Sequence, residues 1–293
     1  MPDIERALST SVASTGAYLI PEVVDPVIRD YVSRATPLLQ VVTRVPWPTQ
    51  TYIIRKRTAL PTAAWAADGG NLPAASQSTY AKATKTIKFL YTRGEVTGPL
   101  IAASGGVVNA LQEEIRQHSN IIAEQLTTDL MTGDGTSDAI TGFIPQVYSG
   151  DVGDEGGTID KGGATVLTLG FIDEAIDGTQ GECDVIITSR AVRRKIAALL
   201  QSQQRFNDTI EIGGGFRVMT YDGVPILGDL HWEPTSPYQI LFARRADMKL
   251  LINQDFTFLP LARTKDSEDF YIKGYFGAAL EGRPVLLKNF TLA

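Results

Sequence analysis

One cysteine, Cys183, and two histidines, His118 and His231, stand in 293 residues. A single thiol excludes an internal disulfide framework and leaves no cysteine cluster for zinc. Two histidines give little material for a Ser/His triad, a histidine metal cage or a proton relay. No run of about 18 apolar residues occurs, and Met1–Gly16 has no apolar signal-peptide core, so the chain reads as soluble, made in a cytoplasm, and neither secreted nor membrane-inserted. Positive charge is also short: 27 Lys and Arg against 33 Asp and Glu leave a net −6 and a pI near 5.1. A sequence-specific nucleic-acid grip needs a basic face that neutralises phosphates. The deficit argues against such a grip, though not against lying beside nucleic acid. Hydrophobic residues at 43% and charged residues at 20% describe a globular chain. Its length allows one large domain or two ordinary ones.

The first fifteen residues are rich in Ser and Thr and poor in large apolar groups, and read as an arm that orders only when captured. A short helix follows from Pro26 to Val32 and stops before Pro37. Between Val41 and Val96 the stretches Tyr52–Arg57 and Tyr80–Phe89 set β-branched and aromatic residues among charges, as strands do. Pro61–Pro73 between them is a long tip of small and turn-forming residues around Trp65. The pattern predicts a long two-stranded hairpin with few large apolar side chains. Such a hairpin alone is marginal in water, because ordering each residue costs about 1–2 kcal/mol of backbone entropy. The expectation is an arm ordered only against a partner.

The clearest helix runs from about Ser104 to Thr132, with Val108, Leu111, Ile115, Ile122, Leu126 and Leu130 in one apolar stripe and Gly133 as its stop. Ser149–Gly163 reads as an acidic, glycine-rich loop. Phe171–Ile176 reads as a helix, Asp184–Thr188 as a buried strand and Ala191–Leu200 as a helix. Phe216–Tyr221, Asp222-Gly223 and Val224–Leu227 form strand, tight turn and strand. The last fifty residues alternate strand-like stretches around Leu241, Leu250, Phe270 and Val285.

Few groups offer chemistry. Asp129, Asp134 and Asp138 around Gly133–Thr136 lack the alternating acids and distal Glu of a calcium loop and read as a turn. Asp151, Asp154 and Glu155 read as a solvated loop. Gly213–Gly215 lacks the Lys-Ser/Thr of a phosphate loop. Cys183 reads as a small buried residue and His118 as a packed or half-exposed one. No catalytic residue, cofactor or metal is expected. The basic groups Arg55–Arg57, Arg190/Arg193/Arg194/Lys195 and Arg244-Arg245 are weak as nucleic-acid grips and plausible as partners for acids on neighbouring subunits.

The ordered series Gly16–Pro21, Ala64-Trp65-Ala66-Ala67-Asp68-Gly69 with Pro73 and Ser76, Thr132–Gly135, Thr141–Ile144 and Gly223–Ile226 resembles the major capsid protein family of tailed bacteriophages, with the Hong Kong 97-type fold. The resemblance runs from about residue 16 to the end. It implies an α+β chain divided into an N-terminal arm and short helix (1–40), an extended E-loop hairpin (41–97), a peripheral domain with the spine helix (98–140), an axial domain (141–239) and returning peripheral strands (240–293). It implies hexamers and pentamers closing an icosahedral shell around packed double-stranded DNA, assembled in the host cytoplasm. A mildly acidic subunit suits a container whose DNA must slide. Relatives with a fused scaffolding region carry a long extra segment before the arm, so a separate scaffolding protein or prior trimming is implied. Portal and possibly decoration proteins are the other partners, with no membrane. Some relatives crosslink a hairpin lysine to a distant asparagine with help from a glutamate. Lys82, Lys85, Lys88, Asn289 and Glu281 supply those residue types, without a pattern that pins them to the roles.

Two other functions compete. An encapsulin-type compartment shares the fold but takes cargo on an amino-terminal helix, and Met1–Thr15 shows no amphipathic stripe. A carboxylate-dependent hydrolase predicts a monomer or small oligomer. For the shell reading, Trp65 and Leu72 are expected to bury against an adjacent subunit, with Arg55, Arg57 and Asp68 in weaker intersubunit ion pairs.

Overall fold

The structure is a computed structural model, and it describes residues 38–292 apart from 69, 72, 105–109, 137, 151, 153–156, 203–208, 213–215, 230–231, 233–237 and 262–264. The amino-terminal arm and its short helix, Val108, Asp151, Asp154, Glu155, Gly213–Gly215, His231 and the expected interface residue Leu72 therefore lie outside the described residues.

In chain order the elements are α1 (Leu38–Val41), β1 (Thr43–Pro46), β2 (Thr51–Ala59), β3 (Thr79–Thr86), β4 (Lys88–Thr97), α2 (Gly98–Ser104), α3 (Ala110–Thr132) and α4 (Phe143–Ser149). Then come β5 (Gly157–Val166), α5 (Leu169–Gly178), β6 (Val185–Ser189), α6 (Arg190–Ser202), β7 (Thr209–Ile212), β8 (Phe216–Tyr221), β9 (Val224–Asp229) and β10 (Tyr238–Ala243). A 3-10 turn at Arg245–Asp247 leads to the long strands β11 (Met248–Pro260), β12 (Ser267–Leu280) and β13 (Val285–Thr291).

Three sheets result. A four-stranded sheet has the order β1-β11-β12-β4, a seven-stranded one β5-β13-β10-β6-β9-β8-β7, and β2 pairs only with β3. The central strands of the seven-stranded sheet are buried on both faces, and their sequences say why. Val185 and Ile187 of β6, Leu241 of β10 and Leu286 of β13 point into one apolar cluster with Leu126, Leu130, Phe143, Leu250 and Phe276. The intervening Ile186, Phe242 and Leu287 point into a second, with Ile172 of α5 and Val192 and Ile196 of α6. Strands apolar at successive positions, as in Val185–Ile187, Ile240–Phe242 and Val285–Leu287, have to be covered on both sides. Asp222 and Gly223 join β8 to β9 with φ of 50° and 76°, the mirror-image turn that matches strand twist.

Helix α3 rises about 1.5 Å per residue, so its 23 residues span roughly 35 Å. Its stripe packs as the periodicity predicts. Ile122, Leu126 and Leu130 are buried, and Leu111 and Ile115 lie against Phe270 and Ile272 of β12. Gly133 ends it, donating its N–H to the Asp129 carbonyl at 2.9 Å; a Cβ there would stand 2.4 Å from the Ile140 carbonyl oxygen, so the close approach requires glycine.

The structure departs from the expected layout in four places. Only residues 51–86 form the hairpin. β1 pairs in parallel with β11, and β4 pairs along its whole length with β12, so both belong to the four-stranded sheet. The break falls at Ile87, which is buried and donates its N–H to the Gln50 carbonyl at 2.9 Å. The expected loop 149–163 becomes strand from Gly157 onward, because parallel pairing to β13 supplies a register its own glycine-rich sequence does not announce. The segment before the long helix carries a separate helix, α2, and Phe143–Ser149 forms α4 where only a motif was read.

Candidate subunit interface

The hairpin strands β2 and β3 pair only with each other among the described residues. Residues facing each other across β2 and β3 share a side of the ribbon. Tyr52/Lys85, Ile54/Ala83 and Lys56/Ala81 face one way, and Ile53/Thr84, Arg55/Lys82 and Arg57/Tyr80 the other. The first side is seated. Ile54 and Ala83 are buried against Leu251 and Ala279, on the face of the four-stranded sheet away from α3. Tyr52 donates to Glu281, and Lys249 donates to Glu281 at 2.6 Å and to the Tyr52 hydroxyl at 3.2 Å. Trp47 meets the Tyr52 ring edge-on at 4.8 Å, and Lys56 donates to the Gly150 carbonyl at 2.5 Å. Burial and the bond to Glu281 raise the Tyr52 phenol above its ordinary value.

The second side is open. Ile53 and Tyr80 are exposed, and Arg55, Arg57, Tyr80, Ala81 and Lys82 line a shallow groove. Arg55 and Lys82 are direct cross-strand partners of like charge, an arrangement that disfavours the isolated ribbon. Beyond Ala59 the chain runs out to the tip. It is held by small polar contacts: Thr58 to Thr79 at 3.1 Å, Thr62 N–H to Ser76 Oγ at 2.9 Å, and Gly70 N–H to the Ala67 carbonyl at 2.9 Å. Trp65 at the tip is 103% exposed, and Asp68 is exposed beside it. Of the expected interface residues, Trp65 and Asp68 thus sit together at the tip, while Arg55 and Arg57 sit on the open side of the stem.

The groups considered for chemistry have structural surroundings. His118 bonds Thr92 through Nδ1 at 2.6 Å, stands 3.2 Å from Glu114 through Nε2 and meets Phe270 edge-on. Asp134 accepts from the Thr136 N–H at 2.9 Å and from its hydroxyl at 2.5 Å, which holds its carboxyl below the ordinary range and makes the Gly-Asp-Gly segment a turn. Among the described residues no three His, Cys, Asp or Glu side chains are grouped to hold a metal. Of the crosslinking types, Asn289 donates to both oxygens of Asp160 at 2.8 Å and Glu281 is engaged by Tyr52 and Lys249. Lys85 is buried, and Lys82 is on the open side of the stem. No described helix is long and apolar enough to cross a membrane.

Sequence reading missed a second exposed surface. On the sheet face away from α3, cross-strand partners Phe89/Tyr275, Tyr91/Lys273 and Arg93/Tyr271 stand side by side. Phe89 and Tyr91 are 49% and 55% exposed. Phe89 and Tyr91 meet Tyr275 edge-on at 4.9 and 6.2 Å, and the Lys273 ammonium lies 5.5 Å from the Tyr275 ring. A hydrogen bond between Tyr91 and Tyr275 raises the first phenol and lowers the second. Its sequence signal was the alternate spacing Phe89-x-Tyr91, legible as a strand but not as a patch until β12 is placed beside it.

No curated protein matches the chain significantly. Solved structures do match, across nearly its whole length. The capsid of an empty GTA particle shares 17% identity with a TM-score of 0.76, over 97% of this chain and all of the other. The Cyanophage A-1(L) capsid shares 12% with a TM-score of 0.75, over 94% and 98% of the two chains. The holo-SrpI encapsulin of Synechococcus elongatus PCC 7942 shares 12% with a TM-score of 0.74, over 97% of each. At such identities the likeness establishes the fold, which is that of Hong Kong 97-type capsids, and virus-derived and encapsulin shells share it. The model of the phage capsid family matches residues 16–208, about two thirds of the sequence. With that match added to the fold, the chain belongs to the phage capsid family and is a major capsid protein.

Proposed function

We propose that this capsid protein forms the hexamers and pentamers of an icosahedral shell around double-stranded phage DNA, with its hairpin lying across an adjacent subunit. One observation carries the reading: the hairpin is seated only along one side of its stem, and its tip presents a fully exposed tryptophan to solvent. A large aromatic held out on a polar ribbon gains nothing for a solitary molecule and has the character of an interface anchor. Trp65 and Leu72 are the apolar anchors of this contact, and Arg55, Arg57 and Asp68 its ion-pairing rim.

Residues 1–40 then act as the arm, 41–97 as the E-loop with its root strands, 98–140 and 240–293 as the peripheral domain, and 141–239 as the axial domain. The role is structural rather than catalytic. A scaffolding protein, a portal and a decoration protein are the further partners, assembly takes place in the host cytoplasm, and DNA is enclosed without sequence-specific contacts, in keeping with the net −6.

Electron microscopy of the expressed, purified chain tests this. Closed particles with six-fold and five-fold capsomers are expected; monomers or small oligomers under all assembly conditions would refute it. The encapsulin likeness at TM-score 0.74 gives a second reading. Mass spectrometry of particles purified from their natural source separates the two, since an enclosed enzyme in place of DNA favours the compartment.

A further inference from the structure

We propose that the basic first turns of α6 in one copy pair with the acidic end of α5 in the next, with Arg190, Arg193, Arg194 and Lys195 meeting Asp177 and Glu182. The inference rests on the shell reading and adds to it a contact between neighbouring axial domains.

Charge is sorted sharply along this part of the chain. Leu169–Asp184 holds five acids and no cation, and Val185–Ser202 holds four cations and no acid. All five acids are exposed, as are Arg190 and Arg194. Both sets stand where their own helices disfavour them. Asp177 lies in the last turn of α5, at the negative end of its peptide dipoles, and the four cations occupy the first two turns of α6, at the positive end. The compensation that each needs lies outside its helix.

The fold keeps the two sets apart within one copy. β10 is antiparallel to both β6 and β13, so those two run parallel. Gly178, at the end of α5, lies on Val285 where β13 begins, and Glu182 comes just before β6. Arg190 follows the far end of β6, five residues or about 17 Å of strand away.

Local partners do not make up for this. Among the described residues no acid forms an ion pair with the four cations, and no cation forms one with Asp177 or Glu182. Arg194 bonds within its own helix, Nε donating to the Arg190 carbonyl at 3.4 Å. The neighbouring acids are engaged: Asp173 accepts from Tyr221, Glu174 pairs with Lys161 at 2.6 Å, and Asp184 accepts from the Arg245 N–H at 2.6 Å. At the basic end, Gly228 of β9 makes room for two arginine stems. A Cβ there would stand 3.3 Å from Arg193 Cδ and 3.5 Å from Arg190 Cγ. Two like charges are thus brought over one strand, an arrangement that an incoming carboxylate relieves.

The two poles are opposite in charge and sit at opposite ends of one sheet, so each copy both gives and receives. Contacts of that kind run head to tail and close into rings when the rotation permits, which is what a capsomer requires.

The first test uses the wild-type chain. Particles made of equal amounts of isotopically labelled and unlabelled chains are treated with a water-soluble carbodiimide, which couples a lysine to a carboxylate touching it. Amides between Lys195 and Asp177 or Glu182 that link labelled to unlabelled chains are expected. Lys195 coupled to other carboxylates or to another protein, or left uncoupled in particles that have formed, overturns the pairing. Wild-type chain that forms no particles refutes the shell reading, and this one with it.

The second test reverses the charges, in Arg193→Glu/Arg194→Glu and in Asp177→Arg/Glu182→Arg. A carboxylate early in α6 and a cation late in α5 suit the dipoles of those helices, so the free subunits should melt no lower than wild type. Assembly followed by light scattering should nevertheless slow at least about tenfold in each, because like charges then face each other. The chain carrying all four substitutions should assemble at close to the wild-type rate. Double variants that assemble like wild type, or a fourfold variant no faster than they are, overturn the pairing. So do α6 variants that assemble normally and lose only their packaged DNA, which would make nucleic acid the partner.

Discussion

Tyr52 and Glu281, 229 residues apart in sequence, share a hydrogen bond at the base of the hairpin, and Lys249 bridges both. The cluster fixes where the arm leaves the body. Removing the carboxylate charge in Glu281→Gln should loosen it, at about 1–2 kcal/mol for a half-buried charged hydrogen bond. Amide hydrogen exchange in Thr51–Lys56 and Ala81–Thr86 should quicken severalfold while β6 and β10 keep their protection. Unchanged exchange in the hairpin would mean that Ile54 and Ala83 hold the seat alone.

The same cluster should respond to alkali. Burial pulls the Lys249 ammonium down, but its bonds to Glu281 and Tyr52 win and hold its pKa above the ordinary 10.5. The Tyr52 phenol is raised above 10.0 by burial and by Glu281. A group raised on folding contributes stability that is complete below its unfolded value and lost as pH rises through its folded one. Wild-type stability should therefore fall above pH 10 with a component that Lys249→Met lacks, as read by melting temperature against pH.

Gln146 is the buried polar side chain that holds α4 to β12. Its Nε2 donates to the carbonyls of Thr141 at 2.7 Å and Ala278 at 3.1 Å, and its Oε1 accepts from the Leu280 N–H at 3.1 Å. Gln146→Leu keeps the volume and orphans those backbone groups, which costs about 1–3 kcal/mol. Thermal unfolding should shift down by several degrees. An unchanged midpoint would show that α4 re-forms these bonds by moving.

The open side of the stem should make association salt-sensitive. Residues 51–86 hold five cations and one acid, a net of +4, so the rest of the −6 chain carries −10. Replacing Arg55, Arg57 and Lys82 by Gln relieves the like-charge pairing in the free subunit, by roughly 0.2–1 kcal/mol. It should also slow assembly and flatten its dependence on ionic strength, both followed by light scattering. Assembly as fast and as salt-dependent as wild type would place the attraction elsewhere.

Cys183 should be slow to react. Burial pushes its thiol from 9.0 up to about 11, and the S–H faces the Val185 carbonyl at 3.5 Å. Only the thiolate attacks. Near pH 8, Ellman's reagent should label the native chain roughly a hundredfold more slowly than the unfolded one, since each pKa unit is tenfold in thiolate. Equal rates would mean that the strand edge at β6 opens readily.

What the sequence disclosed was whatever a segment's own pattern determines. The stripe on α3 from Leu111 onward, the apolar Val185–Ile187 of β6 and the Asp222-Gly223 turn each carry a local physical requirement, and each formed as read. The length of the hairpin did not, because Lys88–Thr97 has the same alternation of charge and β-branching as Thr79–Thr86. Only the arrival of β12, some 180 residues later, separates body strand from arm strand. Gly157–Val166 has no β signal of its own and takes its register from β13. Of the candidate interface, Trp65, Asp68 and the stem arginines were legible as exposed, ill-matched residues. The strip of Phe89, Tyr91, Tyr271 and Tyr275 was not, since it exists only across two strands distant in sequence.

The bond from the Ile87 N–H to the Gln50 carbonyl closes the root of the arm like a drawstring. Beyond the seated stem, the stretch from residue 58 to residue 78 is then a detour that starts and finishes at one spot. Its length can grow or shrink without altering the spacing of a single strand behind it. The span between neighbouring tiles is thereby adjustable apart from the tile itself, which makes the length of the tip a natural place for tuning how far one subunit reaches toward the next.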